Sequence, residues 1–333
     1  MASLALAIRW DWFKLSRRWL PWVLLLILLL MSQLAVWVNY FNFTTLQRES
    51  ATISAPAAEP GGRPATMKCQ DVLSADANSP PPSIDPDVLP SLQAECEQAE
   101  AGRAQQLGRS YAAVTLPGSI PSALNMGVSV GLILVAILAA GHFGSEYGWG
   151  TVRPNLSRGI GRWQFIASRL LLLALLAGAA LLIVTLATAV SSAIAGHLVG
   201  HPPGVHSATS WRTAAGLLAR SWVALLPFIA FASFITLLTR SAAAGMATVI
   251  SYYLAEQVVV AILAGLFTWF RTAARYLLAQ NIAAWVGLSS FGQGQTALSR
   301  PHALWVLAAY TCVLTAAALS LFLVRDVAGA SGS

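Results

Sequence analysis

The sequence predicts an all-α integral membrane protein with six transmembrane helices. Its 333 residues are 56% hydrophobic and only 10% charged, whereas an ordinary soluble domain is about 25% charged. A helix needs about 20 mostly apolar residues to cross the hydrocarbon core of a bilayer. We find six runs of that kind, at residues 19–39, 121–141, 168–193, 217–239, 243–267 and 303–324.

The first 18 residues predict an interfacial helix. Leu4, Ile8, Trp12 and Leu15 recur at helical spacing, while the basic residues lie largely elsewhere around the axis, as in a helix that rests on a membrane surface. A basic flank that only sets the topology is the alternative. We interpret the run that follows, 19–39, as a retained span, because no A-x-A-like cleavage site directly follows it.

Basic residues in the short segments predict the orientation. They precede the first span and fill the loop between the second and third spans, and short cytoplasmic segments carry such an excess. We therefore expect both termini and loop 142–167 to be cytoplasmic, in a multi-pass protein of the plasma (inner) membrane. Arg271, Arg275 and Arg300 count against this topology, which places them outside. The net charge of +7 does not indicate a nucleic-acid partner, because the basic residues form no stripe.

Residues 40–120 predict an exterior subdomain, mostly of coil and short helices. The segment is rich in proline and glycine, and its positions 40–117 carry nine carboxylates against five Arg and Lys. Cys69 and Cys96 both lie here. In an oxidising compartment they can form a disulfide; two free thiols are the alternative.

The sequence predicts no catalytic residue and no metal site. A P-loop needs a lysine that follows glycine, but the only two lysines, Lys14 and Lys68, follow Phe and Met. Three histidines, His197, His201 and His206, are close in sequence, but no Cys or carboxylate accompanies them.

Glu256 is the one carboxylate deep within a predicted span. An ionisable residue there is costly unless it finds a partner or water. We predict an ion pair with Arg220, which lies at a similar depth in the antiparallel fourth span. The alternatives are a water-filled cavity, or hydrogen bonds to Tyr252 or Tyr253.

The stretch that leaves the second span reads G-H-F-G-S-E-Y-G-W-G-T-V-R-P-N-L-S-R-G over residues 141–159. With six spans, an N-terminal interfacial helix and a large first exterior loop, it resembles the permease subunit of the ABC-2 type exporter family. Residues 276–282, Y-L-L-A-Q-N-I, are similar to that family's exterior Tyr-Leu-Pro-x-Asn element, with Leu278 in place of the proline. Arg325-Asp326 resembles its C-terminal ending.

The resemblance implies a cytoplasmic coupling helix between spans two and three and an exterior helical hairpin between spans five and six. Residues 121–333 would be the five-span remainder of the permease domain. Glu146 matches the glutamate that begins the coupling segment, and the segment as a whole would contact an ATPase. The implied coupling residues are Glu146, Tyr147, Trp149, Thr151, Arg153, Arg158 and Arg162.

The resemblance also implies the partners. Two permease copies, identical or related, would flank a pathway in the lipid bilayer. Separate ABC ATP-binding subunits would hold ATP and Mg. We therefore expect this chain to bind no cofactor and not to be an enzyme itself. Three other interpretations stay open. Loop 142–167 could be an ordinary positive-inside loop. The chain could be a mechanotransmitting or sensory permease homologue with an exterior partner. It could also be a membrane-embedded enzyme or an ion-coupled transporter that relies on Glu256.

Overall fold

The structure, a computed structural model, describes residues 2–48, 52–55, 65–74, 89–148, 161–199, 208–287 and 298–324. These residues are helical apart from one small hairpin of two strands, β1 (Thr52–Ala55) and β2 (Ala65–Lys68). The helices are α1 (Ala2–Ser16), α2 (Trp19–Arg48), α3 (Cys69–Leu73), α4 (Leu89–Val114), α5 (Ser119–Gly148), α6 (Arg162–Leu198), α7 (Ala208–Thr239), α8 (Ala242–Leu266), α9 (Thr268–Ala274), α10 (Leu278–Val286) and α11 (Arg300–Val324).

Among the described residues, six helices are long and apolar enough to cross a membrane: α2, α5, α6, α7, α8 and α11. Five of them contain one of the six runs expected from hydropathy in full, and α8 contains all but the last residue of the run 243–267. The prediction of a helical multi-pass membrane protein is confirmed at that level. The helices extend beyond several of the runs. α6, for example, has 37 residues, because helical hydrogen bonding continues into the flanking polar residues.

The chain forms two compact units, and the first comprises residues 1–33, 121–188 and 207–333. Close approaches between helices in this unit depend on small residues. The indole of Trp222 on α7 lies against Gly178 of α6 and donates to the carbonyl of Ala174, with N and O 2.7 Å apart. A Cβ at Gly178 would come within 3.1 Å of that indole, so a larger side chain would push α6 and α7 apart.

The C-terminal part of the first unit contains the two short helices α9 and α10, which follow α8 and precede α11. α10 ends at Gly287, whose φ of 87° lies in the left-handed region that glycine adopts without steric cost. The exterior helical hairpin that the resemblance implies between the fifth and sixth spans stays a prediction; the structure shows two short helices in this part of the sequence.

The second unit comprises residues 34–120 and 189–206. β1 and β2 pair antiparallel, with Thr52 opposite Lys68 and Ala55 opposite Ala65. A disulfide joins Cys69 of α3 to Cys96 of α4, whose Cα atoms are 5.2 Å apart. The 26-residue helix α4 is longer than the short helices expected from sequence, and the hairpin was not expected.

A small apolar cluster holds the remainder of the second unit together. Phe43 of α2, Val114 of α4 and Ala195 of α6 are buried against one another, and Tyr111 packs on Phe43 with ring centroids 5.8 Å apart. Arg103 of α4 donates to the carbonyl of Leu46 on α2. The second unit therefore has its own core, which the proline-rich composition did not predict.

Candidate functional site

Charged side chains from three distant parts of the sequence meet in the first unit. Asp11 and Lys14 lie on α1, three residues apart and therefore on one face of that helix. Glu146 lies at the end of α5, and Arg169 lies in the first turns of α6. We call these four residues the charged cluster.

Arg169 is the centre of the charged cluster. Its Nη2 lies 3.0 Å from Oε1 of Glu146 and 3.6 Å from Oδ1 of Asp11. Lys14 Nζ lies 3.7 Å from the same oxygen of Glu146. Two carboxylates thus face two cations, and the cluster has no net charge when all four groups are ionised.

The charged cluster is buried, apart from Lys14. The side chains of Arg169 and Glu146 are only 1% and 4% exposed, whereas that of Lys14 is 36% exposed. The guanidinium of Arg169 lies over the ring of Phe165, 3.8 Å from its centroid, which is cation–π geometry. Because an unpaired buried charge is strongly destabilising, the stability of the first unit depends on these ion pairs.

Hydrogen bonds extend the charged cluster at both sides. Ser168 Oγ donates to Oδ2 of Asp11 over 3.1 Å. Arg18, just after α1, donates to Oγ of Ser145 on α5 over 2.7 Å. Together with the ion pairs, these bonds fasten α1 to the end of α5 and to the start of α6.

Within the charged cluster, Asp11 has a raised pKa. Burial raises the pKa of its carboxyl above the ordinary value, and the attraction of Arg169, the hydrogen bond from Ser168 and the attraction of Lys14 act in the opposite direction. The ionised form is therefore maintained by its partners against an unfavourable environment. Such a group is sensitive to the loss of any one partner.

The structure describes three of the seven expected coupling residues. Glu146 is buried in the charged cluster instead of being presented on a surface, and Tyr147 is half-buried. Arg162 is exposed and donates to the carbonyl of Leu323 at the end of α11, over 2.9 Å. Trp149, Thr151, Arg153 and Arg158 lie outside the described residues, as does the Arg325-Asp326 ending.

The predicted ion pair between Arg220 and Glu256 is wrong. Arg220 Nε donates to the carbonyl of Gly216 on its own helix. The carboxylate of Glu256, which is only 5% exposed, accepts a hydrogen bond from the backbone N–H of Gln280 instead, over 3.0 Å. The prediction compared only the depths of residues in the spans, and it did not include a backbone N–H of the short helix α10 as a partner for Glu256.

Glu256 caps the N-terminus of α10. The first N–H groups of a helix have no partner inside it, and that of Gln280 donates to Oε1 of Glu256. The hydroxyl of Tyr252 accepts from the N–H of Leu278 at the same helix end. Glu256 and Tyr252 thus both supply acceptors to the start of α10.

The Y-L-L-A-Q-N-I segment, residues 276–282, forms the turn between α9 and α10 and the start of α10. Leu278, which stands where the exporter family has proline, is the first residue of α10, a position where proline is well tolerated. Asn281 Nδ2 donates to the carbonyls of Arg275 and Leu277, at 2.8 and 2.7 Å. This side chain fixes the turn between α9 and α10.

Sequence reasoning missed Asp11, Lys14 and Arg169 as members of a site. Arg169 was assigned to the positive-inside loop, although it lies inside a helix that is otherwise apolar. The rule that an ionisable residue in a span needs a partner was applied to Glu256 only. Applied to Arg169, it would have indicated Glu146, the nearest carboxylate before it in the sequence.

Comparison with known proteins gives one match. A family model described as "Protein of unknown function (DUF2705)" matches residues 110–328, which include all five of the described helices after α4 that are long and apolar enough to cross a membrane. No curated protein and no solved structure matches the chain. Because the match covers 219 of the 333 residues, the chain belongs to the family described as Protein of unknown function (DUF2705).

Proposed function

We propose that the chain is the permease subunit of an ATP-driven exporter, similar to the ABC-2 type, in which loop 142–167 transmits force from a separate ATP-binding subunit. The proposal joins the sequence resemblance to one observation, the charged cluster. The permease would work as a pair of copies in the plasma (inner) membrane, with both termini cytoplasmic. ATP and Mg would be held by the partner.

The charged cluster supports the proposal through its position. Glu146 lies near the first end of loop 142–167 and Arg169 lies just beyond its last residue, and their ion pair joins the end of α5 to the start of α6. Asp11 and Lys14 add α1 to the same unit. A force applied to the loop would therefore move α1, α5 and α6 together, because close-packed, ion-paired helices transmit displacement as rigid bodies.

Burial of Glu146 changes its role within the proposal. A side chain that is 4% exposed is not available to a soluble subunit, so Glu146 would hold the two flanks of the loop together. Contact with the ATP-binding subunit would then fall to residues between the flanks, of which Trp149 and Arg153 are the candidates from sequence. Aromatic and arginine side chains are enriched at interfaces.

The test is co-purification of the ATP-binding subunit encoded near the permease, with ATPase activity of the complex as a second readout. Trp149→Ala with Arg153→Ala should reduce recovery of the subunit, whereas Trp269→Ala with Arg275→Ala, on the proposed exterior side, should not. Equal recovery from both double variants would contradict the coupling role. So would purification of a fully active transporter without any ATP-binding subunit.

Topology is tested separately by cysteine labelling. In a Cys312→Ser background, Trp149→Cys should react with a membrane-impermeant maleimide only from the cytosolic side, and Trp269→Cys only from the exterior. The opposite pattern would reject the orientation, and with it the coupling role of the loop.

The second unit favours the mechanotransmitting or sensory homologue as a second candidate. Its disulfide, hairpin and separate core suit a module that engages an exterior partner. A tagged second unit retained by an exterior binding protein, together with absence of substrate export, would favour this candidate. For ion coupling through Glu256, one carboxylate oxygen already accepts a hydrogen bond at the start of α10, which favours a structural role for this residue.

A further inference from the structure

The first unit contains an apolar groove of about 180 Å³ at the start of α2, beside α5 and α6. Its floor is formed by the buried side chains of Leu24, Leu28, Leu181 and Leu225. Ser16 is the only residue with a polar side chain other than an indole among those that line it. The groove is distinct from the charged cluster, since none of the four cluster residues lines it.

Small residues leave the groove open. Gly131 of α5 and Ala177, Ala179 and Ala180 of α6 line it. A Cβ at Gly131 would lie 3.6 Å from Leu225 and 4.0 Å from Leu28, so larger side chains at these positions would fill the space. The composition of the helices therefore maintains a gap where neighbouring spans of this unit otherwise pack closely.

The rim of the groove opens at the apolar surface of the helices. Trp22, Ile183 and Ala179 line the groove and are exposed, and in a bilayer they would face lipid. An apolar cavity of about 150 Å³ stays dry and accepts hydrocarbon ligands. The occupant of this groove is consequently apolar where it touches the protein.

The groove is elongated along the helices. Its lining on α2 runs from Pro21 to Leu28, and its lining on α6 from Leu176 to Ile183, which is about 10 Å in each case at the rise of an α-helix. A narrow channel parallel to transmembrane helices matches a segment of an acyl chain. A compact ring system would leave most of that length unfilled.

The chemistry at the α1 end of the groove indicates the headgroup. Trp12, Ser16 and Trp22 line this end, and tryptophan prefers the headgroup zone of a membrane. Arg17, the next residue, is exposed and lies over Phe13, 4.3 Å from the ring centroid. An exposed cation that directly follows a residue lining this end of the groove favours an anionic lipid.

We propose that this groove binds one acyl chain of an anionic phospholipid from the leaflet on which α1 lies, with the headgroup beside Arg17. The lipid would occupy the space between the joint of α1 with α2 and the floor at Leu28. The proposal concerns lipid binding in the resting protein and holds whether or not the chain is an exporter.

The experiment uses the full-length chain in vesicles that contain equal amounts of phosphatidylglycerol and phosphatidylcholine. One of the two lipids at a time carries a diazirine in the middle of its acyl chain, and cross-linked peptides are located by mass spectrometry after illumination. Phosphatidylglycerol should label residues 24–28 and 176–183 more strongly than phosphatidylcholine does. Arg17→Gln should reduce that preference about fivefold, since one basic residue near the surface contributes about that factor.

A filled groove provides the matched control. Ala180→Phe should abolish labelling of both segments, while Ala187→Phe, a half-buried position of α6 that does not line the groove, should leave it unchanged. Elution as a single species and an unchanged unfolding temperature show that a variant is folded. If Ala180→Phe does not fold, Ala179→Phe at the exposed rim provides the same test.

Three outcomes would overturn the proposal. Equal labelling of the wild type and a folded, filled variant would mean that lipid does not enter the groove. Labelling spread evenly over α8 and α11 would indicate annular lipid only. A groove occupied by another molecule, such as a second copy of this chain, would leave residues 24–28 and 176–183 unlabelled in every variant.

Discussion

Removal of Arg169 should destabilise the first unit more than removal of any other member of the charged cluster. Arg169→Met leaves an apolar side chain of similar length in place of the cation. The carboxylates of Asp11 and Glu146 then remain buried with Lys14 as the nearest cation, 3.7 Å from Glu146. The pairs that Arg169 makes at 3.0 Å with Glu146 and at 3.6 Å with Asp11 are then lost, and both carboxylates stay buried without their shared counter-charge.

The magnitude follows from the distances. At 3.0 Å the attraction of Arg169 for Glu146 is about 5.5 kcal/mol at an effective dielectric constant of about 20, and desolvation offsets much of it. Breaking a buried pair by removing one partner costs about 3–5 kcal/mol. Lys14 is 36% exposed, so Lys14→Met should cost about 1 kcal/mol or less.

The assay is reversible unfolding of the purified protein in mixed micelles with increasing SDS, which gives a free energy of unfolding for each variant. The expected order of destabilisation is Arg169→Met, then Glu146→Gln, then Lys14→Met. The double variant Glu146→Gln with Arg169→Met should cost less than the sum of the single changes, by about 0.5–3 kcal/mol, because contacting residues are not additive.

Two results would refute this reasoning. If Arg169→Met were no more destabilising than Lys14→Met, the buried ion pairs would not stabilise the first unit. If Glu146→Gln and Arg169→Met were strictly additive, the two side chains would not interact. As a matched control, Arg162→Met removes an exposed arginine of the same helix and should cost about 1 kcal/mol or less.

Three further predictions concern other parts of the molecule. Glu256→Ala should lower the free energy of unfolding by about 1–3 kcal/mol and increase hydrogen exchange of the amides at the start of α10. Glu256→Gln keeps an acceptor and should cost less. Equal exchange in the wild type and Glu256→Ala would contradict the capping role. Replacing Cys69 and Cys96 by serine should destabilise the second unit by about 3.5 kcal/mol in the chain-entropy model, and alkylation of these cysteines in the wild type before reduction would disprove the bond. Because the pKa of Asp11 is raised, the folded state binds a proton at this carboxyl more tightly than the unfolded state does. Asp11 should therefore lower the free energy of unfolding as pH rises through and just above the ordinary pKa of 3.8. Asp11→Asn should remove this pH dependence from unfolding curves measured at several pH values.

Hydropathy predicted the spans well because the bilayer requires about 20 apolar residues of every crossing helix. The residues between the spans obey no such rule. α10 illustrates the limit, since N–H groups at the start of this nine-residue helix bind Tyr252 and Glu256, which lie 26 and 24 residues away from their donors in the sequence. The proposed partner of Glu256 was wrong because this helix was not included.

The charged cluster could be predicted only in part. The sequence singled out Glu146 through its resemblance to an exporter motif, and the need of an ionisable residue in a span for a partner connects it to Arg169, 23 residues later. Nothing in the sequence indicates the partners on α1. The contact between Asp11 and Arg169 joins residues 158 positions apart, and only the packing of α1 against the helix ends brings them together. Sequence spacing carries no information on such a contact.

The charged cluster also constrains how the protein can be assembled in a membrane. Asp11 and Lys14 are synthesised long before Arg169, so the first apolar helix must enter the bilayer while the acidic group still lacks its final counter-ion. Glu146 lies at the end of α5 and Lys14 lies in the last turn of α1, and long charged side chains at such positions can stay hydrated at the interface until their partners are inserted. The ion pairs would then form last, so that they stabilise the arrangement of α1, α5 and α6 only after the third membrane-spanning helix has inserted.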